Sequence, residues 1–505
     1  MPLAWWLETP RFRRQIGMPK PWNGNRDNRA RVMDGPKETH VTNAHRTKPR
    51  IRGNGAEQMA PHPLVGEDWP RVLELMPTMD LEASALDTKT SRRRREVRTG
   101  ADLPRLVLAC ALCGWPLLMV GAWACLAGVA NLSGVALRKR LRATRMWMGL
   151  LVAAWVTRNR TELAGCIAHL RLVDATTVSG PGSNGTDWRV HVSLDLSRMC
   201  IDGVDLTDGH GGETLVRHPA QPGDIQVADR GYCRRPAMGE TLSQGGDLVV
   251  RVHWQNLPMK DEGGRPVDLF EWLAQVPATE PAERRVIAQT PSGDYEMRLV
   301  ARRLSQEAAD RARQQVRRQS SKKERTPSQR SLQAAGFIIL VTSLPATPWS
   351  ASKVLALYRL RWQVEMMFKR LKGVLSLDGL AAKDPDLAQV YILGNLLGAM
   401  LADRLSRSGP AECAEWFSCV DRPLSPWRWL TWWMGALCSA ILGPISLDRV
   451  LAALPELGRY FRDTPRRRRQ HCALARCLAR LLGEPSTIPQ RVAHMNEVLL
   501  QPAYA

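Results

Sequence analysis

The sequence predicts an α/β protein in which a sheet-based core, interrupted by a mostly β insertion, lies between helical N-terminal and C-terminal regions. Two short apolar runs that each lead into an aspartate predict core strands: HLRLVDATTV, which reaches Asp174, and DIQVADRGYC, which reaches Asp229. The third observation is LALYRLRWQVEMMFKRLKGVL at residues 355–375. There Leu357, Leu360, Val364, Met367, Phe368, Leu371 and Leu375 recur at helical spacing and predict one amphipathic helix.

Residues 1–83 are rich in Pro, Gly, Asn, Arg and His without a sustained period, and read as an irregular or disordered extension. Residues 84–165 read as helical. The apolar run from Leu103 to Arg142 has the length of a membrane span, but Gly114, Pro116, Gly121 and Gly128 divide it into short helices. Those helices run into Arg138, Lys139 and Arg140, which predicts a DNA-binding helix-turn-helix-type module and no membrane partner. Cys110 and Cys113 form a lone Cys-x2-Cys without a second ligand pair, so no zinc site is expected.

The core is expected over residues 166–405. Val190, Val192 and Leu194 alternate with His191, Ser193 and Asp195, which predicts a strand, and Pro181, Gly182 and Gly185 supply the turn before it. The interval from Asp229 to Glu365 is more than twice that from Asp174 to Asp229. A β-rich insertion at about 247–345 accounts for it, with strands read at 247–254, 294–304 and 337–344. The polar, basic tract from Ser305 to Arg330 reads as a helix or loop reaching along a nucleic acid. Residues 406–505 read as helical, with Trp427, Trp429, Trp432 and Trp433 as a core-packing group and a basic run at Arg466–Arg469.

On the helix predicted at 355–375, Tyr358, Arg361, Glu365 and Lys372 fall within an arc of about 60°, at about 100° per residue. This polar stripe borders the apolar face. A carboxylate flanked by two cations and a phenol is a seat for a metal ion and a phosphate; ordinary ion pairs at i, i+4 spacing are the plainer reading.

Composition points the same way. The 505 residues carry a net charge of +22, which favours polyanionic partners held in a salt-sensitive manner. Eleven scattered cysteines and no secretory signal predict a reduced, cytoplasmic protein. No Gly-x4-Gly-Lys-Ser/Thr loop is present, which removes the main sign of nucleotide hydrolysis.

The Tyr-x2-Arg-x3-Glu-x6-Lys pattern at Tyr358, Arg361, Glu365 and Lys372 resembles the signature of the insertion-sequence-4 family of transposases. So do the apolar strand before Asp174, the Trp-Arg-x-His strand at Trp188–His191 and the Asp-Arg-Gly-Tyr at Asp229–Tyr232. Leu132, Ser133, Ala136, Leu137, Arg140 and Leu141 match a further family stretch. The resemblance implies a ribonuclease-H-like core carrying a DDE triad of Asp174, Asp229 and Glu365. It also implies phosphate contacts from Tyr358, Arg361 and Lys372, and a homodimer that pairs both element ends at the bacterial nucleoid. Its DNA partners would be terminal inverted repeats and target DNA. Phosphodiester cleavage and rejoining explain why three carboxylates are wanted: two Mg2+ ions, with Mn2+ as the alternative, are hard cations that oxygen ligands hold. A structure-specific nuclease and a non-catalytic DNA-binding regulator are the rival readings.

Overall fold

Among the described residues six helices precede the sheet: α1 (Trp69–Leu75), α2 (Leu81–Asp87), α3 (Asp102–Leu112), α4 (Leu117–Leu126), α5 (Gly134–Ala143) and α6 (Arg145–Leu163). Local chemistry sets several of their boundaries. The Asp80 carboxylate accepts from the Glu82 and Ala83 N–H groups at the start of α2, and the Ser133 hydroxyl accepts from Ala136 at the start of α5. Pro116 separates α3 from α4. This computed structural model describes residues 68–461, apart from 92–95, 164–168, 197–199, 376, 378 and 408–425. The basic clusters Arg92–Arg95 and Arg466–Arg469, and nearly all of the N-terminal extension, lie outside the described residues. No helix among the described residues is long and apolar enough to cross a membrane.

Nine strands form one mixed sheet in the order β3-β2-β1-β4-β5-β9-β8-β7-β6. They are β1 (His169–Val178), β2 (Trp188–Asp195), β3 (Cys200–Asp208), β4 (Asp224–Ala228), β5 (Asp247–Arg251), β6 (Met259–Lys260), β7 (Ala282–Thr290), β8 (Gly293–Arg303) and β9 (Phe337–Thr342). β1, β2 and β3 pair antiparallel; β4 runs parallel to both β1 and β5. From β5 outward through β9, β8, β7 and β6 every pairing is antiparallel. The strands of the expected insertion therefore continue the central sheet, and β5, which sequence placed at its head, sits inside the sheet beside β4. β7 escapes the sequence pattern because Glu283, Arg284 and Arg285 crowd its first half; pairing with β8 along its whole length holds it extended.

Both faces of the sheet are covered, as the two-residue period of the strands requires. Leu170, Leu172, Val249 and Leu340 face one core, shared with the N-terminal and C-terminal helices. Val173, Leu248, Val250, Ile339 and Val341 face a second core. That second core is built with α7 (Arg235–Ser243) and α8 (Leu269–Ala274). The other helices among the described residues are α9 (Gln306–Ser321), α10 (Gln329–Ala334), α11 (Ala351–Arg359), α12 (Trp362–Leu375), α13 (Pro385–Arg407), α14 (Pro426–Leu442) and α15 (Leu447–Phe461).

The N-terminal helices share the first core with α13 and α14. On α13, a Cβ at Gly394 would stand 2.9 Å from the Ala111 side chain, and one at Gly398 would stand 2.7 Å from Leu112, so these glycines let α3 approach closely. Arg105 on α3 is buried between the Trp69 and Trp123 rings and donates to the Ile441 carbonyl on α14. Trp429 and Trp433 on α14 are 1% exposed and meet edge-on, so their role is core packing.

The single helix expected at 355–375 is two helices. Between α11 and α12 the N–H groups of Leu360, Arg361, Gln363 and Val364 donate only three residues back, to Leu357, Tyr358, Leu360 and Arg361. This is a 3-10 turn, wound at about three residues per turn. The four signature residues therefore leave the ideal stripe, and Arg361 is turned onto two carboxylates.

Candidate active site

Each acidic residue is delivered by a different element. The last ladder pair between β1 and β4 is Val173 with Ala228, so Asp174 and Asp229 are the next residues on two neighbouring parallel strands. β1 continues past Asp174, paired with β2 to Val178, whereas β4 stops and Asp229 opens the 3-10 turn Arg230–Tyr232. α12 packs against β1 and brings Glu365, in its first turn, to the same edge.

Arg361 is the hub. Its Nη1 lies 3.3 Å from Asp174 Oδ2 and its Nη2 lies 2.6 Å from Glu365 Oε1. Tyr358 donates its hydroxyl to Asp229 Oδ1 at 2.9 Å, and the guanidinium stands over the Tyr358 ring at 5.7 Å. Arg361 Nε is buried with no hydrogen-bond partner, a donor left for an incoming oxygen.

Burial pushes the Asp174 carboxyl up to about 7; the Ala175 N–H and Arg361 oppose the shift, while Glu365 and Asp229 add to it. Burial also works against the Asp229 charge, but Arg361, the Arg230 N–H, Arg251 and the Tyr358 hydroxyl outweigh it and hold that carboxyl below its ordinary value. Arg361 is held protonated: Tyr358, Asp229, Glu365 and Asp174 together overcome the penalty of burying it. A desolvated carboxyl among like charges gains most from a cation of high charge. The donors are hard oxygens suited to a divalent ion. Among the described residues no three His, Cys, Asp or Glu stand as a closed metal cage; a guanidinium separates these carboxylates.

The Asp174 shift has a measurable consequence. Native Asp174 retains a proton over a range in which the unfolded chain, at an ordinary value of 3.8, has lost it. This group's contribution to the stability of the metal-free protein therefore falls as pH rises from about 4 to about 7. Thermal melts in chelator across that range should show Asp174→Asn gaining on the wild type as pH rises.

Two further residues at this edge went unassigned in the sequence: Arg251 has no motif around it, and Tyr232 closes the Asp-Arg-Gly-Tyr stretch without a role. Arg251 ends β5 and acts electrostatically on Asp229 and Tyr358. Tyr232 is buried with an unpartnered hydroxyl and feels the Asp174 charge. Lys372 is half-buried two turns beyond Glu365 on α12. On α5, Arg138 lies 3.6 Å from Asp384, Arg140 donates to the Thr90 carbonyl and Lys139 is exposed. Part of that basic helix is thus neutralised at the start of α13. His191 is a buried strand residue with Nε2 at 3.0 Å from the Thr207 hydroxyl; burial and Arg217 lower it to about 4, and it takes no part in the carboxylate cluster.

Residues 168–401 match the family model of the transposase DDE domain. The chain is 38% identical over 346 residues to InsL of insertion sequence element IS186A from Escherichia coli (strain K12), covering 67% of this chain and 93% of that protein. It is equally similar, 38% over 347 residues with the same shares, to the transposase for insertion sequence element IS421 from Escherichia coli. Identity to the transposase for IS231F from Bacillus thuringiensis subsp. israelensis is 24% over 274 residues, 48% of this chain and 57% of that one. Transposase DDE domains use divalent metal ions and act on DNA by cleavage and strand transfer. The carboxylates that fold and chemistry single out all fall inside the matched segment, and the chain belongs to the insertion-sequence-4 family of DDE transposases.

Proposed function

We propose that Asp174, Asp229 and Glu365 hold two Mg2+ ions, for which Mn2+ can substitute, and that the enzyme cuts at the terminal inverted repeats of its element and joins the 3′-OH ends to target DNA. The observation that carries this reading is the convergence of β1, β4 and α12 on one guanidinium, with Arg361 bridging Asp174 and Glu365 while Tyr358 binds Asp229. When bound, such ions stabilise charge on the attacking and leaving oxygens of an in-line displacement.

The protein's own residues set the stage for that step. Arg361 neutralises the carboxylates in the metal-free state. With the carboxylate charge met by bound metal, its planar fork would be free for a terminal phosphate, which it suits better than carboxylates set on two different elements. Tyr358 orients Asp229 through its hydroxyl and then offers the same hydroxyl to the DNA backbone. Lys372 contributes a point charge to the phosphates further along. Arg138, Lys139 and Arg140 on α5 serve DNA binding, Arg138 and Lys139 being exposed and Arg140 half-buried. The strand order β3-β2-β1-β4-β5, antiparallel then parallel, supports a ribonuclease-H-like core. A homodimer that pairs the two ends follows from the family resemblance.

Purified protein incubated with Mg2+, inverted-repeat DNA and a target duplex tests this reading. Cleavage with joined product is expected; cleavage alone would make the protein a nuclease, and binding alone a regulator. Lys372→Ala should weaken end binding about tenfold in anisotropy titrations, with metal affinity by calorimetry unchanged. Equal loss of both would remove its phosphate role.

A further inference from the structure

We propose that the α9–α10 hairpin is a docking rail for the phosphate backbone of duplex DNA, placed at the sheet edge that carries Asp174 and Asp229. The strand register gives the placement. Ala228 aligns with Val173 and with Val250, Val250 with Val341, and Val341 with Leu299. Asp174 and Asp229 stand one residue beyond that row. In the same direction β9 runs back to Phe337 and β8 runs on to Arg303, which pair with each other. The hairpin between them is therefore rooted about 10 Å beyond the level of the aspartates, at about 3.3 Å per residue, and two to three strands to the side of β4, one more from β1. A duplex lying on the catalytic edge would reach it.

The hairpin is anchored rather than loose. The Leu304 N–H donates to the Gly336 carbonyl and closes its base. Ser305 caps α9, and Arg313 reaches across to the Leu332 carbonyl. Arg330 lies 5.3 Å from the Phe270 ring centroid and ties α10 to α8.

Its charge is unevenly spent. In the first half of α9, Arg311 pairs with Glu307 and Arg313 with Asp310. Beyond these, Arg317, Arg318, Lys322, Lys323 and Arg325 are all exposed, and none of them has an ion-pair partner among the described residues. The helix dipole accounts for cations in the last turn of α9. It does not account for those past the cap at Lys322. Five unneutralised cations on a pinned scaffold match a polyanion with regularly spaced charges.

The placement rests on the reading of that edge as catalytic, so the test separates the two. Full-length wild type, Arg317→Gln/Arg318→Gln, Lys322→Gln/Lys323→Gln and a control pair at the outer edge of the sheet, Arg265→Gln in the loop after β6 with Arg285→Gln on β7, are titrated with inverted-repeat duplex in chelator over a salt series. Each hairpin pair should flatten the slope of log affinity against log salt by about 1–2, at about 0.9 per phosphate contact, while the control leaves it unchanged. Hydroxyl-radical protection should be lost within about one helical turn of the scissile phosphate, and cleavage at saturating DNA should match the wild type. Unchanged slopes in hairpin variants that melt like the wild type would overturn the proposal, as would an equal loss in the control pair. If the slopes change as expected but Asp174→Asn still cleaves, the catalytic reading fails and the hairpin remains a DNA surface.

Discussion

Asp174→Asn, Asp229→Asn and Glu365→Gln are each expected to lower both cleavage and strand transfer by about 10³-fold or more under single-turnover conditions with Mg2+. Each amide keeps the shape of the side chain and removes an anionic oxygen ligand. Several kcal/mol of charge stabilisation at the reacting phosphate go with it, and about 4 kcal/mol is a factor of 10³ in rate. Binding of the DNA end in chelator should stay within a few-fold of wild type, because deleting a negative charge beside a phosphate does not weaken that contact. The fold should survive in all three, since each amide matches the carboxyl in shape and the β1–β4 ladder ends before Asp174 and Asp229, at Val173 and Ala228. A variant that keeps strand transfer would remove its residue from the triad.

Arg361→Ala carries the second large effect, on stability as well as activity. The guanidinium is 14% exposed and bridges Asp174 and Glu365, which are 16% and 30% exposed. Removing it leaves three carboxylates facing one another. Breaking a buried pair of this kind costs about 3–5 kcal/mol, and the partial exposure of Glu365 reduces the expected loss to about 2 kcal/mol in the metal-free protein. Divalent metal should recover much of that loss, because it meets the same charge. Arg361→Lys should fall between, since a point charge cannot serve two carboxylates in fork geometry. Thermal melts with and without Mg2+ check this: a melting point that drops equally in both conditions would show that Arg361 is only a packing residue.

Much of this site is legible in the chain because its apolar runs lead into carboxylates and its helical residues recur at regular spacing. The short apolar runs in HLRLVDATTV and DIQVAD locate Asp174 and Asp229 without any knowledge of pairing. Other features depend on contacts between distant residues. Nothing in Leu360-Arg361 breaks a helix, for neither is Gly or Pro; the 3-10 turn accompanies Arg361's attachment to Asp174 and Glu365. β5 resembles the strands that follow it in sequence, and only its parallel pairing with β4 brings Arg251 close enough to act on Asp229. The helices at 84–165 read as a module of their own, whereas Gly394, Gly398 and Ile441 on α13 and α14 complete their packing from far along the chain. The pairing of Arg138 and Arg142 with Asp384 likewise spends charge that composition counts as available for DNA.

The account's central claim is that the carboxylates from β1, β4 and α12 are the metal ligands of the reaction. Strand transfer by Asp229→Cys, compared in Mg2+ and in Mn2+, tests it most directly. A thiolate is a poor partner for Mg2+ and a better one for Mn2+. Wild-type protein should join DNA in either metal, and the Cys variant should be inactive in Mg2+ and recover by at least about tenfold in Mn2+. A Cys variant with the wild-type ratio between the two metals would contradict the assignment.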